Sequence, residues 1–182
     1  MWRNAPRHRA PSGAKSFVIA KIAIVLIPPQ PPVSKIHKSA LLPYTPEQMF
    51  ALVEHVELYP QFLPWCSASE VHSRASGQTE ATLEMNFKGV KQRFTTINAN
   101  HPHTQIDLLL KDGPFKKLTG HWHFKKLGEI GCKVSLDLHY EFASAPVQAL
   151  IGAAFDKVAR SLLDAFVQRA DEVYGSQPSV AA

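Results

Sequence analysis

The sequence lacks the features that mark several common classes of protein. It has only two cysteines, Cys66 and Cys132, in 182 residues, so a secreted domain framed by disulfides is not expected. Its longest apolar run, 17–27, is interrupted by Lys21 and falls well short of the ~20 residues that cross a bilayer. It contains no CxxC, HExxH, P-loop or GxGxxG pattern. These absences predict a protein of a reducing, cytoplasmic compartment with no metal site.

Acidic residues are missing from one end of the chain. The formal net charge is +5, from 20 Lys and Arg against 15 Asp and Glu. Residues 1–34 hold five of the bases and no acid, so residues 35–182 carry 20 − 5 = 15 bases against 15 acids. Within that neutral part, residues 88–133 have nine bases and three acids. A basic middle suits contact with phosphate of RNA or of lipid headgroups, although lysines on strand faces also discourage edge pairing.

The distribution of proline predicts where the domain begins. Six of the fourteen prolines lie in residues 1–34, four of them in 28–32, and such a segment favours extended, unpaired backbone. We therefore expect 1–34 to be a basic, proline-rich extension that is disordered or arises from a start-site artefact. A membrane-surface anchor or an export signal is the alternative. Residues 35–175 then form one domain, and 176–182 form a disordered tail.

The pattern within the domain predicts an α+β fold. Thr45-Pro46-Glu47-Gln48 has the residues of a capping box with proline at the first helical position, and a second short helix is predicted around Pro60. Alternating apolar and polar residues then predict about six strands in an antiparallel meander. A long helix follows from about 145 to Tyr174. We expect a curved antiparallel sheet of six to seven strands wrapped on the C-terminal helix, known as a helix-grip fold.

The apolar face of this sheet is interpreted as the wall of a ligand cavity. The same pattern fits a solid core, because periodicity does not distinguish a packed interior from a hollow one. The predicted cavity residues come from the strands, the short helices and the long helix: Phe50, Leu63, Trp65, Met85, Phe87, Phe94, Leu108, Leu110, Trp122, Phe124, Leu136, Tyr140, Phe155, Val158 and Leu162.

Two loops are predicted to form a gate or a surface contact. Each places aromatic side chains in a proline-containing turn, and the second adds two lysines, which suits a cavity entrance or contact with anionic lipid or RNA. Ordinary turn packing is the alternative. The residues concerned are Phe62, Phe115, Lys116 and Lys117.

No catalytic centre is predicted. His121 and His123 share a strand face, but no Asp, Glu or Cys nearby in sequence completes a set of metal ligands. Cys132 falls on the apolar side of its strand and resembles a small buried hydrophobe, and Cys66 has no recognisable nucleophile motif. We therefore expect a non-enzymatic protein with no metal and no catalytic residue.

Five blocks together carry a family resemblance. They are residues 39–50, 59–66 and 112–118, Trp122, and 164–174. In this order they resemble the bacterial ribosome association toxin (RatA) family, which is similar to the mitochondrial coenzyme Q-binding proteins within the START, or polyketide cyclase-like, superfamily. The resemblance spans 35–175 and none of 1–34, and it implies a helix-grip fold with a hydrophobic tunnel.

The resemblance implies two different functions. The coenzyme Q-binding members imply binding of ubiquinone or another isoprenoid lipid in support of respiration, with no required cofactor, in the cytoplasm and peripherally at the inner membrane surface. This is the preferred hypothesis. The toxin-named members imply the alternative, a toxin–antitoxin component that binds the large ribosomal subunit and blocks subunit association. DNA is not expected as a partner.

Overall fold

A computed structural model describes residues 33–87, 89–129 and 131–175. The predictions for 1–32 and 176–182 therefore lie outside the described residues, as do Lys88 and the side chain of Phe87. The elements, in chain order, are β1 (Ser34–Leu42), α1 (Pro46–Glu54), a 3-10 helix (Val56–Gln61), β2 (Cys66–Ala75), β3 (Gln78–Phe87), β4 (Val90–His101), β5 (Gln105–Asp112), β6 (Phe115–Leu127), β7 (Gly131–Phe142) and α2 (Ala145–Tyr174).

The strands form one antiparallel sheet of seven, in the order β1-β7-β6-β5-β4-β3-β2. Strands β2 to β7 make a meander, and β1 returns to pair with β7 from Ser34 opposite Tyr140 to Leu42 opposite Cys132. The predicted α+β helix-grip fold is confirmed. The sequence pattern did not identify β2, because this edge strand is mostly exposed and lacks apolar alternation.

The start of α1 is fixed by its predicted capping box. The Thr45 hydroxyl accepts a hydrogen bond from the Gln48 backbone N–H (3.3 Å), and the Gln48 side chain accepts one from the Thr45 N–H (2.9 Å). Two tyrosines then connect this helix to the C-terminal end of α2. The Tyr44 hydroxyl donates to Asp171, and the Tyr174 hydroxyl donates to the Gln48 carbonyl. Helix α1 therefore closes one end of the concave sheet.

Helix α2 lies across the inner face of the sheet. Ser144 caps it, and it buries a face that includes Phe155, Leu163 and Phe166. Its main contacts are with β1, β7 and α1, so the β3–β4 side of the sheet is covered less closely. Near its N-terminal end, Leu150 is 62% exposed. Among the described residues, no helix is long and apolar enough to span a membrane.

Candidate ligand cavity between sheet and helix

An apolar cavity of about 60 Å³ lies between α2 and the inner face of the sheet. None of its described lining side chains carries a carboxylate, an amine, an imidazole or a thiol. The side chains that line it are Tyr59, Trp65, Leu83, Phe94, Leu108, Leu118, Trp122, Leu138, Phe155, Val158, Ala159, Leu162 and Phe166. Such a surface favours an apolar ligand over a charged one, because a charge buried without a partner is strongly unfavourable.

Aromatic packing holds one end of the cavity wall. The Phe166 ring of α2 meets Trp122 edge-on at 5.1 Å and Tyr59 at 5.3 Å between ring centroids. The Tyr59 hydroxyl is already used, because it donates to the Val53 carbonyl at 2.6 Å. Burial also raises the pKa of Tyr59, so the phenol stays neutral. This end of the cavity therefore presents ring surface and no available charge.

A second aromatic cluster surrounds Phe155 at the other end. The Phe155 ring lies 4.7 Å from that of Phe115 and 4.8 Å from that of Tyr140. The expectation that Phe115 is a surface gate is therefore wrong: its side chain is only 5% exposed. The cause is a register shift between Phe115 and Lys117 on β6, which turns Phe115 inward although it is out of step with Leu118 and Trp122. In the preceding turn, Gly113 has φ 143° and a Cβ there would lie 2.6 Å from the Phe94 Cβ.

A smaller cavity of about 20 Å³ adjoins the first and shares Trp65, Phe155 and Val158 with it. Its remaining described lining residues come from β3, β4 and the first half of α2: Met85, Val90, Gln92, Ile151 and Ala154. This is the side of the sheet that α2 covers least. The smaller cavity therefore extends the apolar space from the main cavity toward the β3–β4 hairpin, where α2 packs least closely.

The predicted cavity residues divide into two groups. Those at the main cavity are Trp65, Phe94, Leu108, Trp122, Phe155, Val158 and Leu162, and Met85 lies at the smaller one. The others with described side chains pack in the core and line neither cavity: Phe50, Leu63, Leu110, Phe124, Leu136 and Tyr140. Helix α1 fills the space beside several of them, as the contact of Phe50 with Phe124 shows (5.7 Å). A ligand-binding role for the lining residues stays a prediction.

Sequence reasoning missed several lining residues. Leu83, Leu118 and Leu138 lie on the apolar side of the alternation in their strands. That alternation could have identified them as inner-face residues. Ala159 and Phe166 lie on the buried face of α2. Tyr59 had no such signal, because it comes from the 3-10 helix and reaches the cavity only through the tertiary fold.

The other predicted gate residues are not at the cavity. Phe62 is half-buried, and its ring lies under the Arg169 guanidinium at 5.5 Å, beside a separate surface groove. Lys116 forms an ion pair with Glu141 at 2.7 Å, whereas the Lys117 side chain is exposed.

The two thiols are poor nucleophiles. Burial raises the pKa of Cys66 and of Cys132 to about 11, and the reactive form of cysteine is the thiolate. Within residues 33–87, 89–129 and 131–175, no group of three or more His, Cys, Asp or Glu side chains is placed to hold a metal ion.

The outer face of the same sheet carries charges of both signs, and two exposed lysines face each other on β6 and β7. Lys125 of β6 and Lys133 of β7 are directly opposite each other in register and both are exposed. Neither makes an ion pair with a described residue, although like charges directly across a strand pair are destabilising. Farther along the face, His121 bonds to Asp107 at 2.6 Å and His37 to Asp137 at 2.7 Å.

A curved antiparallel sheet wrapped on a long C-terminal helix, with an apolar cavity between them, defines the START-like class of helix-grip proteins. Residues 42–167 match the model of the family described as polyketide cyclase / dehydrase and lipid transport. The chain belongs to this family. The aromatase/cyclase Zhui from Streptomyces sp. R1128 shares the fold, with a TM-score of 0.69 at 12% identity over 81% of this chain and 100% of that one.

Sequence relatives place the chain more narrowly. It is 45% identical to the ribosome association toxin RatA of Pseudomonas aeruginosa over 140 residues, which is 77% of this chain and 97% of the relative. It is 32% identical to the coenzyme Q-binding protein COQ10 homolog B, mitochondrial, of Xenopus laevis over 145 residues, which is 77% of this chain and 59% of that protein. The predicted family is confirmed.

Proposed function

We propose that the chain is a non-enzymatic carrier that binds an isoprenoid quinone or a similar lipid between α2 and the sheet. The observation that carries this proposal is the cavity, whose described lining has apolar side chains and no ionised group. The family description, which includes lipid transport, and a relative named as a coenzyme Q-binding protein support it. The carrier would act in the cytoplasm, in contact with the membrane that holds the lipid.

The size of the cavity determines how such a ligand would enter. A cavity of roughly 150 Å³ is known to hold benzene, whereas this one measures about 60 Å³. A quinone ring therefore requires the space to widen. We expect the widening to occur at the smaller cavity, which is lined by Val90, Gln92 and Ile151. Helix α2 makes its main contacts with β1, β7 and α1, so it is held least firmly on this side. In this proposal the first half of α2 moves away from the β3–β4 hairpin.

The variant Ala159→Leu tests this proposal. Ala159 is 1% exposed and lines the cavity, so a leucine would occupy the ligand's space. Binding of a short-chain ubiquinone, followed by quenching of tryptophan fluorescence at Trp65 and Trp122, should weaken about tenfold, the equivalent of roughly 1.4 kcal/mol. The matched control is Ala153→Leu, on the exposed side of the same helix, which should bind as the wild type does.

Two results would argue against the carrier. One is the absence of saturable quinone binding to the wild type, together with no quinone or lipid in a solvent extract of the purified protein analysed by mass spectrometry. The other is unchanged binding by Ala159→Leu. Thermal unfolding of both alanine variants, measured in parallel, separates lost binding from lost folding.

A second candidate function is association with the large ribosomal subunit. The specific observation in its favour is the outer-face pair Lys125 and Lys133, which lie opposite each other without a carboxylate partner among the described residues. An RNA phosphate bound between the two lysines would offset the repulsion between their positive charges. The relative at 45% identity is named a ribosome association toxin, which supports this candidate. The two functions use opposite faces of one sheet and are compatible.

Charge reversal at one lysine tests this candidate without harming the fold. Lys133→Glu places a carboxylate opposite Lys125, so the fold should gain about 0.2–1 kcal/mol while contact with phosphate weakens. We expect cosedimentation with the large subunit to fall several-fold at low salt, with a shallower dependence on salt concentration. Lys157→Glu, an exposed lysine on α2, is the control. Ribosome binding that is absent in the wild type, or equal in both variants, would contradict the candidate.

A further inference from the structure

The two halves of α2 differ in the side chains that they expose to solvent. Residues 145–155 contain no charged residue, and the exposed positions in this half include Pro146, Ala149 and Leu150. The Leu150 side chain is the largest of these and is 62% exposed. The second half instead exposes charged side chains, namely Lys157, Arg160, Asp164, Asp171 and Glu172. A surface helix normally carries charged and polar residues opposite its buried face, so the first half of α2 presents apolar surface where charge is expected.

This apolar surface adjoins the side on which the cavity would open. Ile151 and Ala154, in the same turns of α2, line the smaller cavity together with Val90 and Gln92 of β4. Leu150 precedes Ile151 in the chain and is four residues from Ala154, and side chains four residues apart are neighbours on a helix surface. A lipid that enters at the smaller cavity would therefore pass beside Leu150.

Basic side chains lie at the same end of the molecule. The Ala143 N–H, just before α2, donates to the Pro114 carbonyl at 3.0 Å, so the start of α2 is held beside the turn that leads into β6. Lys117, which follows this turn, is exposed. Lys91, near the start of β4, pairs with Glu84 at 3.3 Å and is still 63% exposed. Lysines beside exposed apolar side chains suit contact with the surface of an anionic membrane.

We propose that the first half of α2 docks on an anionic bilayer, with Leu150 among the lipid chains and Lys91 and Lys117 against the headgroups. This docking rests on the proposed carrier function and names the surface by which the carrier would take its lipid from the membrane. Removal of an exposed leucine from water favours the bound state, and each lysine adds attraction to anionic headgroups. Continuity with the smaller cavity favours a bilayer over a second copy of the chain, which would cover the entrance.

Flotation of the full-length protein with vesicles tests the docking surface. The vesicles contain phosphatidylcholine either alone or with added phosphatidylglycerol. We expect the wild type to bind the anionic vesicles and Leu150→Glu to bind them about tenfold more weakly, because the leucine no longer leaves water. Lys117→Gln should weaken binding to anionic vesicles about fivefold and leave binding to neutral vesicles unchanged. The matched control is Leu109→Glu, the same change at a leucine that is 57% exposed on the outer face of β5. It should bind as the wild type does.

Several outcomes would overturn the docking surface. Unchanged vesicle binding by Leu150→Glu is one, and an equal loss in Leu150→Glu and Leu109→Glu is another, with thermal unfolding of both variants showing that they are folded. A wild type that binds no vesicles but binds short-chain ubiquinone in solution would overturn the docking and leave the carrier function standing. Vesicle binding without quinone binding would overturn the carrier function and leave the membrane contact standing. A wild-type dimer that Leu150→Glu converts to a monomer, in analytical ultracentrifugation, would assign the surface to a second copy and overturn the membrane contact.

Discussion

The two faces of the sheet differ in chemistry, and β6 shows the contrast most directly. Trp122 and Phe124 point inward and are 4% exposed each, whereas His121, His123 and Lys125 alternate with them on the outside and are exposed. The strand thus separates an apolar interior suited to a lipid from a basic exterior suited to an anion. This difference means that the two proposed activities would use residues that do not overlap.

The largest expected effect is loss of an inner-face aromatic ring. Phe155→Ala removes a buried ring from the cluster with Phe115 and Tyr140 and enlarges a space that is already partly empty. We expect a loss of about 3–5 kcal/mol in the free energy of unfolding, measured by urea denaturation. The outer-face change His123→Ala should cost no more than about 0.5 kcal/mol. An equal loss in the free energy of unfolding for the two variants would contradict the claim that the two faces differ.

A smaller effect is expected at the turn that precedes Phe115. In Gly113→Ala the new methyl would lie 2.6 Å from the Phe94 Cβ, at a φ of 143° that side chains rarely adopt. Overpacking and backbone strain should together destabilise the fold by about 1–3 kcal/mol. Gly89→Ala is the control, because Gly89 also has a positive φ but has open space around it. A larger loss at Gly89 than at Gly113, in the same thermal unfolding assay, would contradict this account of the turn.

The smallest effect concerns the outer face and appears as a dependence on pH. Burial alone would raise the pKa of Asp107, but hydrogen bonds from His121 and Gln105 outweigh it and lower that pKa below its ordinary value. A lowered pKa in the folded state contributes stability above the ordinary value of about 3.9, and this stability is lost as pH falls through the lowered pKa. Asp107→Asn should therefore be less stable than the wild type at pH 7, with the difference shrinking below about pH 4.

Unfolding curves for Asp107→Asn and wild type at pH 7 and pH 3 test this expectation. The inner-face variant Phe155→Ala provides the contrast, because its deficit comes from lost packing and should be present at both pH values. If Asp107→Asn is less stable than the wild type by the same amount at pH 3 as at pH 7, the hydrogen-bonded carboxylate is not the source of the lost stability.

Local patterns were enough to predict much of the fold. The capping box at Thr45 and the start of α2 depend on neighbouring residues, so the sequence alone identified them. The strand alternation also fixed which side of β6 faces inward. By contrast, Phe115 was misplaced, because a register shift between Phe115 and Lys117 interrupts the alternation of β6, and strand register depends on pairing with residues distant in sequence.

The candidate site was harder to predict than the fold. Alternation assigns a side chain to the inner face but does not say whether another element fills the space beside it. Phe124 and Phe94 have the same pattern, yet Phe50 of α1 packs against the first and the cavity lies against the second. The opposition of Lys125 and Lys133 depends on the register of β6 and β7, which the sequence alone did not define.

The separation of the two faces is the central claim, and quinone titration of three proteins tests it most directly. The wild type and Lys133→Glu should show saturable binding with the same Kd, because Lys133 lies on the outer face. Ala159→Leu should bind about tenfold more weakly, because it fills the cavity. The absence of saturable quinone binding by the wild type would contradict the claim. So would weaker quinone binding by Lys133→Glu together with unchanged quinone binding by Ala159→Leu.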